Sequence, residues 1–326
     1  MKRLAIDIGY SNLKLAFGPE DAAIPETRVL PGAAGPADRM PDRMTAGGAS
    51  ADYAEVTIND AAWVAGVEAS RLQQWERDLH EDFPASDTYR ALFYAGLLYA
   101  GAEQIDHLVT GLPVSQARDA TYKAALAKRL TGTHAVTPKK SIAVKRVTVI
   151  PQPIGAYLDL LHGDRIDPAM IADAMVLVID PGFFSVDWVP IIDGEARSAS
   201  AGTSVQAMSY VLEALDRRIR GDHGIGVGRD RLEQAVRKHA PSIMHQGQKV
   251  DLAGYFAEAA EEVAGIALTA MRQSLRSERS PDIVLMAGGG AAVYGKVAQA
   301  IYPKANVLVP EEPVLANVRG YWRYAA

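Results

Sequence analysis

Apolar runs at residues 4–8 and 13–17 flank Gly9-Tyr10-Ser11-Asn12, a set of turn formers, and this pattern predicts a β-hairpin at the start of the chain. From 19 to 52 the chain is rich in Pro, Gly, Ala and Asp without any period, which predicts a mobile loop. The segment EVTINDAAWVAG then reads as a hairpin turning at Asn59-Asp60, so that roughly 19–66 forms a small β-rich insert. Helical spacing at 87–100 and 118–130 flanks a strand-like run at 105–110. Two β-rich runs in KKSIAVKRVTVI lead through Pro151-Gln152-Pro153 into a helix at about 154–161, where proline is tolerated in the first turn. A continuous apolar strand at 175–179 follows. Helices are predicted at 204–219, after Ala201-Gly202-Thr203, and at about 252–276. DIVLMAGGGAAVYGKVAQAIYP reads as strand, three glycines and helix, and ANVRGYWRYA as a short helical end. Strand and helix alternate, which predicts an α/β protein.

The bulk properties narrow this picture without redirecting it. A chain of 326 residues, 48% hydrophobic and 22% charged, can bury a large core and favours two lobes over one small module. The net charge of −5 gives no overall attraction to nucleic acid, so any contact with DNA is expected to run through a partner. The absence of cysteine excludes disulfides, thiolate metal sites and a cysteine nucleophile. No secretory h-region and no apolar run of roughly 18 residues is found, so a cytoplasmic protein without membrane contact is expected. The seven histidines form no His-x-x-x-His pair, and no Gly-x-Ser-x-Gly elbow occurs. GDHGIGVG, without a strand before it, reads as a surface loop, and KKSIAVKR as a solvated strand edge.

The opening hairpin has a counterpart. IDIGYSNLKLAF and IDPGFFSVDWVP both read apolar strand, Asp, any residue, Gly, turn, strand, with Asp7 matching Asp180 at 173 positions' distance and Gly9 matching Gly182. Lys14 falls on Asp187, a cation in one copy and an anion in the other. Glycine at such a turn lets consecutive N–H groups form an anion-binding concavity suited to phosphate. Each Asp can hold the water shell of Mg²⁺, and Lys14 can reach a phosphate as a point charge. One Asp-x-Gly turn is ordinary turn chemistry; a matched pair suggests two related lobes sharing a ligand. Gly288-Gly289-Gly290 add a strand-to-helix turn where a purine could approach the backbone.

The order of these motifs resembles the actin, Hsp70 and sugar-kinase ATPase superfamily and, within it, the plasmid-segregation actins of the ParM/StbA type. DIGYSNLK is similar to the first phosphate loop, PQPIGAYL to the first connecting segment, DPGFFSVD to the second phosphate loop, LMAGGGAAVYG to the adenosine motif, and LANVRGYW to the C-terminal connecting helix. The resemblance implies an actin-like fold of two lobes around a nucleotide cleft, each a mixed sheet flanked by helices. Lobe I spans 1–162, with its connecting helix at 153–162, lobe II spans 163–312, and 313–326 returns to lobe I. It implies that Asp7 and Asp180 organise metal and attacking water, that Gln152 orients that water without taking its proton, and that Asp187 helps polarise it. Gly9, Tyr10, Ser11, Asn12, Lys14, Gly182, Phe183, Phe184, Gly202, Gly288, Gly289 and Gly290 are the implied contacts of ATP or GTP with Mg²⁺. Pro181, Phe183 and Phe184 depart from the usual second loop; the phenylalanines are either core plugs or steric elements of the site. Gly155, Ala156, Ala316 and Gly320 would let two connecting helices cross closely as a hinge. The implied function is slow ATP hydrolysis coupled to filament formation, with plasmid DNA held through an adaptor. A small-molecule kinase and a non-hydrolysing cytoskeletal scaffold are the alternatives.

Overall fold

The computed structural model describes residues 2–19, 22, 24–41, 52–77, 79–163 and 166–325. Contacts divide the chain into two compact units, one formed by Met1–Ile166 with Leu315–Ala326 and the other by Asp167–Val314.

The first unit is built on a five-stranded sheet. Lys2–Ile8 pairs antiparallel with Asn12–Pro19, which pairs antiparallel with Glu26–Pro31; on its other side Lys2–Ile8 runs parallel to His107–Leu112, and that strand parallel to Val147–Pro151. Because side chains alternate along a strand, Leu4, Ile6, Leu13 and Leu15 face one core while Arg3, Ala5, Asp7 and Lys14 face the other way. The first face is covered by the helix Asp87–Tyr99, whose Gly96 leaves room for Ile6 and Leu15: a Cβ there would lie 2.9 Å from Ile6 Cδ1. The second face meets the helix Ala316–Tyr324, where Trp322 lies beside Gly18 and under the Arg3 guanidinium at 5.9 Å.

Two expectations need correction here. The aperiodic region 19–52 contains the strands Glu26–Pro31 and Ala33–Pro36. The first is an exposed edge strand held by backbone pairing, so it carries no apolar alternation; the second buries only Ala33, Ala34 and Gly35, too small to mark a period. Residues 20, 21, 23 and 42–51 of the expected loop lie outside the described residues. KKSIAVKR supplies Lys140–Val144, which pairs on both sides, with Gln104–Ile105 and Gly132–Thr137, and is therefore not an edge. The hairpin turning at Asn59-Asp60 is present, both residues having positive φ, 50° and 63°, as its tight turn requires.

The helices Gln152–Leu161 and Ala316–Tyr324 cross at backbone contact. A Cβ on Gly320 would stand 1.7 Å from the Gly155 carbonyl oxygen, and one on Gly155 would enter the Tyr321 ring. Beside the crossing, Arg319 donates to both carboxylate oxygens of Asp159, at 2.8–3.0 Å.

The second unit repeats the plan. Met175–Pro181 pairs antiparallel with Val186–Ile192 and parallel with Ile283–Met286, which runs parallel to Asn306–Leu308. Helices Ala253–Ser274 and Ala291–Ile301 cover Leu177 and Ile179. The helix predicted from 204 starts at Met208, because Gly202–Ser204 is a strand paired with Val186–Trp188. Its end also runs further than predicted, to His223, so the first residues of GDHGIGVG are helical. Gly224, at φ 80°, ends the helix, and Asp216 then accepts the Val227 and Gly228 amides.

Gly320→Ala is expected to destabilise the first unit by roughly 2–3 kcal/mol through overpacking, read as a lower urea midpoint. Burial holds His107 below its ordinary pKa of 6.5, with Arg146 and Arg3 adding to the effect, and burial likewise lowers His134. Both are neutral when folded, so their contribution is complete above pH 6.5 and declines below it, as the unfolded chain takes up protons first. Tm should therefore fall between about pH 7.5 and about pH 5.5, and His107→Gln with His134→Gln should flatten that dependence.

Candidate functional site

In the first unit the opening hairpin turns through residues 9–12, closed by a hydrogen bond from Gly9 N–H to the Asn12 carbonyl at 3.0 Å. Two residues before the glycine, Asp7 is fully buried and stands directly across the strands from Lys14. Lys14 Nζ lies 2.7 Å from Asp7 Oδ2 and is itself only 13% exposed. A carboxylate taken out of water needs such a partner, and here cross-strand register supplies it. The other oxygen, Oδ1, accepts from Gln152 Nε2 at 3.2 Å. Gln152 is the first residue of its helix, set there by the strand Val147–Pro151 that ends one position earlier. With its NH₂ turned to Asp7, the amide presents its oxygen as the end that accepts a hydrogen bond from a water.

The turn is braced from two sides. Tyr10 stacks on Phe83 with ring centroids 4.5 Å apart and donates its hydroxyl to the His80 carbonyl at 2.6 Å. Its side chain is thus engaged by the segment before the helix Asp87–Tyr99. The Ser11 carbonyl accepts from Gly32 N–H at 2.8 Å, and a Cβ on Gly32 would lie 2.7 Å from the Ser11 carbonyl carbon.

In the second unit the same closure recurs: Gly182 N–H donates to the Ser185 carbonyl at 2.8 Å. Asp180 and Asp187, both buried, are directly opposed across the strands, as Asp7 and Lys14 are in the first unit. Like charges in that position repel, and Asp187 is stabilised by hydroxyls on both oxygens. Ser185 Oγ donates to Oδ2 at 2.7 Å and Thr203 Oγ1 to Oδ1 at 2.6 Å. Thr203 can do so because its short strand lies across from Asp187. Gly202 is opposite Trp188, and a Cβ on it would fall 2.4 Å from the indole, so its absence of a side chain serves packing.

The Gly288–Gly290 turn is brought to the same place. Gly288, at φ 70°, donates its N–H to the Pro313 carbonyl at 2.8 Å, and a Cβ on it would sit 2.2 Å from Asp180 Oδ1. Gly290 donates to the Pro181 carbonyl at 2.8 Å, while Gly289 faces open space. The helix Met208–His223 starts on the turn itself, its Met208 and Ser209 amides donating to the Gly182 and Phe183 carbonyls at 3.2 and 2.8 Å. Phe183 packs into the core beneath that helix.

The structure thus gathers Asp7, Gly9, Tyr10, Ser11, Asn12, Lys14 and Gln152 at one turn of the first unit. It gathers Asp180, Gly182, Phe183, Phe184, Asp187, Gly202 and Gly288–Gly290 at the matching turn of the second. Among the described residues no group of three or more His, Asp or Glu side chains could hold a metal ion as a protein cage. The donors fit Mg²⁺ that keeps its waters and its phosphate ligands, since among the described residues Asp7 Oδ1 accepts from Gln152 Nε2 at 3.2 Å and a carboxylate oxygen retains lone-pair capacity for a metal-bound water. Ser185 and Thr203 were not singled out by sequence, although each lies beside a residue that was. Gly111 and Tyr321, both against Gln152 or its helix, were also missed; an isolated glycine ending an apolar strand is the signal that marks Gly111.

Residues 5–155 match the family model for the N-terminal domain of actin-like proteins, and residues 178–299 the C-terminal model of the archaeal MreB-like actin homologue. No curated protein matches the chain. Among solved structures, the native archaeal actin homologue Ta0583 aligns over 100% of this chain and 99% of its own, at TM-score 0.78 and 20% identity. The complex of Ta0583 with ADP gives 0.76 and 21% over the same coverage. ParM in a 15-stranded filament from Clostridium botulinum gives 0.76 and 20%, over 99% of this chain and 98% of that one. The fold is actin-like. Among the described residues no helix is long and apolar enough to cross a membrane.

Removing the Asp187 carboxylate takes away the acceptor of the bonds from the buried Ser185 Oγ and the partly buried Thr203 Oγ1. Asp187→Ala is expected to lower unfolding free energy by about 2–4 kcal/mol, and Asp187→Asn, which can bond both hydroxyls, by less than half of that, in urea titrations.

Proposed function

The chain belongs to the actin-like superfamily and is similar to ParM, and we propose that it is a nucleotide-driven filament protein. In this reading the two acidic turns serve one magnesium-bound ATP or GTP. Binding favours self-association into filaments, and slow hydrolysis weakens them. The carried load is plasmid DNA, gripped through a DNA-binding adaptor in the cytoplasm. The observation that carries the reading is the matched pair of turns, each closed by the same Gly N–H to carbonyl bond and each burying an aspartate two residues earlier. The ADP complex of Ta0583 and the filament of the clostridial ParM support the nucleotide and the polymer respectively.

The residues divide the work by their chemistry. Lys14, already paired with Asp7, is placed to share its charge with a phosphate oxygen. Asp7 and Asp180 would hold the water shell of Mg²⁺, and the metal, when bound, neutralises charge on the phosphates. Gln152, tied to Asp7 through its nitrogen, turns its amide oxygen toward a water and fixes the direction of attack. The water oxygen bonds to the terminal phosphorus, the bond from that phosphorus to the bridging oxygen breaks, and the proton leaves to solvent or phosphate. An amide takes no proton at neutral pH, so hydrolysis is slow and the bound triphosphate acts as a timer.

Light scattering and electron microscopy with Mg-ATP, Mg-GTP, Mg-ADP and no nucleotide test the reading. Polymer is expected with a triphosphate and is lost in Asp180→Ala, while Gln152→Ala binds nucleotide, polymerises and hydrolyses at least about tenfold more slowly. No polymer under any condition, together with phosphorylation of a small hydroxylated compound, would assign the chain to the kinases.

A further inference from the structure

We infer that Tyr321 is a positioning residue for Gln152, holding the water-orienting amide from behind through a slot made by two glycines; the inference rests on the role proposed for Gln152 above. Tyr321 is fully buried on the helix Ala316–Tyr324. Its ring lies against Gly155, where a Cβ would come within 2.4 Å of Cε1, and its hydroxyl end lies over Gly111, where a Cβ would come within 1.9 Å of the oxygen. The same imagined atom on Gly111 would be 2.9 Å from Gln152 Cγ. The tyrosine tip and the glutamine stem therefore share the space above one glycine, and neither could stay if Gly111 carried a side chain.

The consequence for Gln152 follows from its two ends. At the amide, Nε2 is held by Asp7 Oδ1 at 3.2 Å, a contact that sets the direction of the amide but does not itself fix the stem. At the stem, the tip of Tyr321 and the bare backbone of Gly111 close the space into which it would swing. Gln152 is also the first residue of the helix that meets Gly320 and Tyr321 at backbone distance, so its Cα and its side chain are located by the same contact. The terminal helix, 169 positions downstream by residue number of Tyr321 against Gln152, acts as the gauge for the reach of the amide. Displacing a reacting or orienting group by about 1 Å lowers rate far more than binding, which is the signature expected of a residue acting through another.

A double-mutant cycle on the intact chain tests this. Tyr321→Phe, which removes only the hydroxyl over Gly111, is expected to lower kcat for ATP hydrolysis about tenfold, with nucleotide Kd within about twofold of the parent. In a Gln152→Ala background the same change should have no further effect on kcat. Gly111→Ala, which crowds both side chains, should reproduce the loss of rate with affinity retained; should it fail to fold, Tyr321→Phe decides alone, with thermal unfolding as the check. Unchanged kcat in Tyr321→Phe, or an equal loss in the Gln152→Ala background, would overturn the inference while leaving the role of Gln152 standing. If Gln152→Ala itself hydrolyses at the parental rate, or the parent hydrolyses no nucleotide, the functional reading falls and the inference with it.

Discussion

A carboxylate buried at the end of a strand must be compensated where it stands, and the way each unit does this governs the chemistry of its turn. Asp7 is compensated by a cation, Lys14, placed opposite by antiparallel register. Asp180 faces a second carboxylate in the same register, and the pair persists because Asp187 draws hydroxyls from Ser185 and Thr203 onto both oxygens. The first turn therefore holds an ion pair with no net charge, while the second holds two carboxyl groups in a frame of hydroxyls and glycine backbone. The two hairpins differ in kind at a single cross-strand position, lysine in one and aspartate in the other.

That frame explains why so much nearby sequence is small. Gly288 lies against Asp180, Gly202 against Trp188, Gly32 against Ser11, and Gly155 against Gly320. In each place a methyl group would separate two backbones or displace an aromatic ring. Of the glycines that sequence reasoning assigned to ligand contact, Gly182, Gly202, Gly288 and Gly290 are thus first of all packing positions, whereas a Cβ on Gly9 would meet nothing nearer than 3.5 Å and Gly289 faces open space.

The paired turns, the apolar strands leading into them and the helices that follow were legible because each carries a strong local signature: an apolar run, an Asp-x-Gly, a turn and a second run. The start at Met208 was not, because Gly202–Ser204 becomes a strand only by pairing with Val186–Trp188, a contact that local propensity does not encode. The strands Glu26–Pro31 and Ala33–Pro36 were missed for a related reason: one is an exposed edge held by backbone bonds, the other is made of residues too small to show a period. Within the site, Asp7 and Lys14 could be paired by counting along a hairpin, whereas the contact of Gln152 with Asp7 and the place of Tyr321 arise from elements 145 and more positions away.

The order of the chain adds a constraint on synthesis. The helix Ala316–Tyr324 packs on the sheet that begins with Lys2–Ile8, yet the whole of Asp167–Val314 is translated before it. Until the ribosome has released that helix, the sheet face carrying Ala5 and Gly18 lacks its cover of Trp322 and Tyr321, while the second unit already has all its residues. The first unit is therefore completed after the second, and a nascent chain passes through a stage in which Asp7, Lys14 and Gln152 are all made but the helix that packs on their sheet is not.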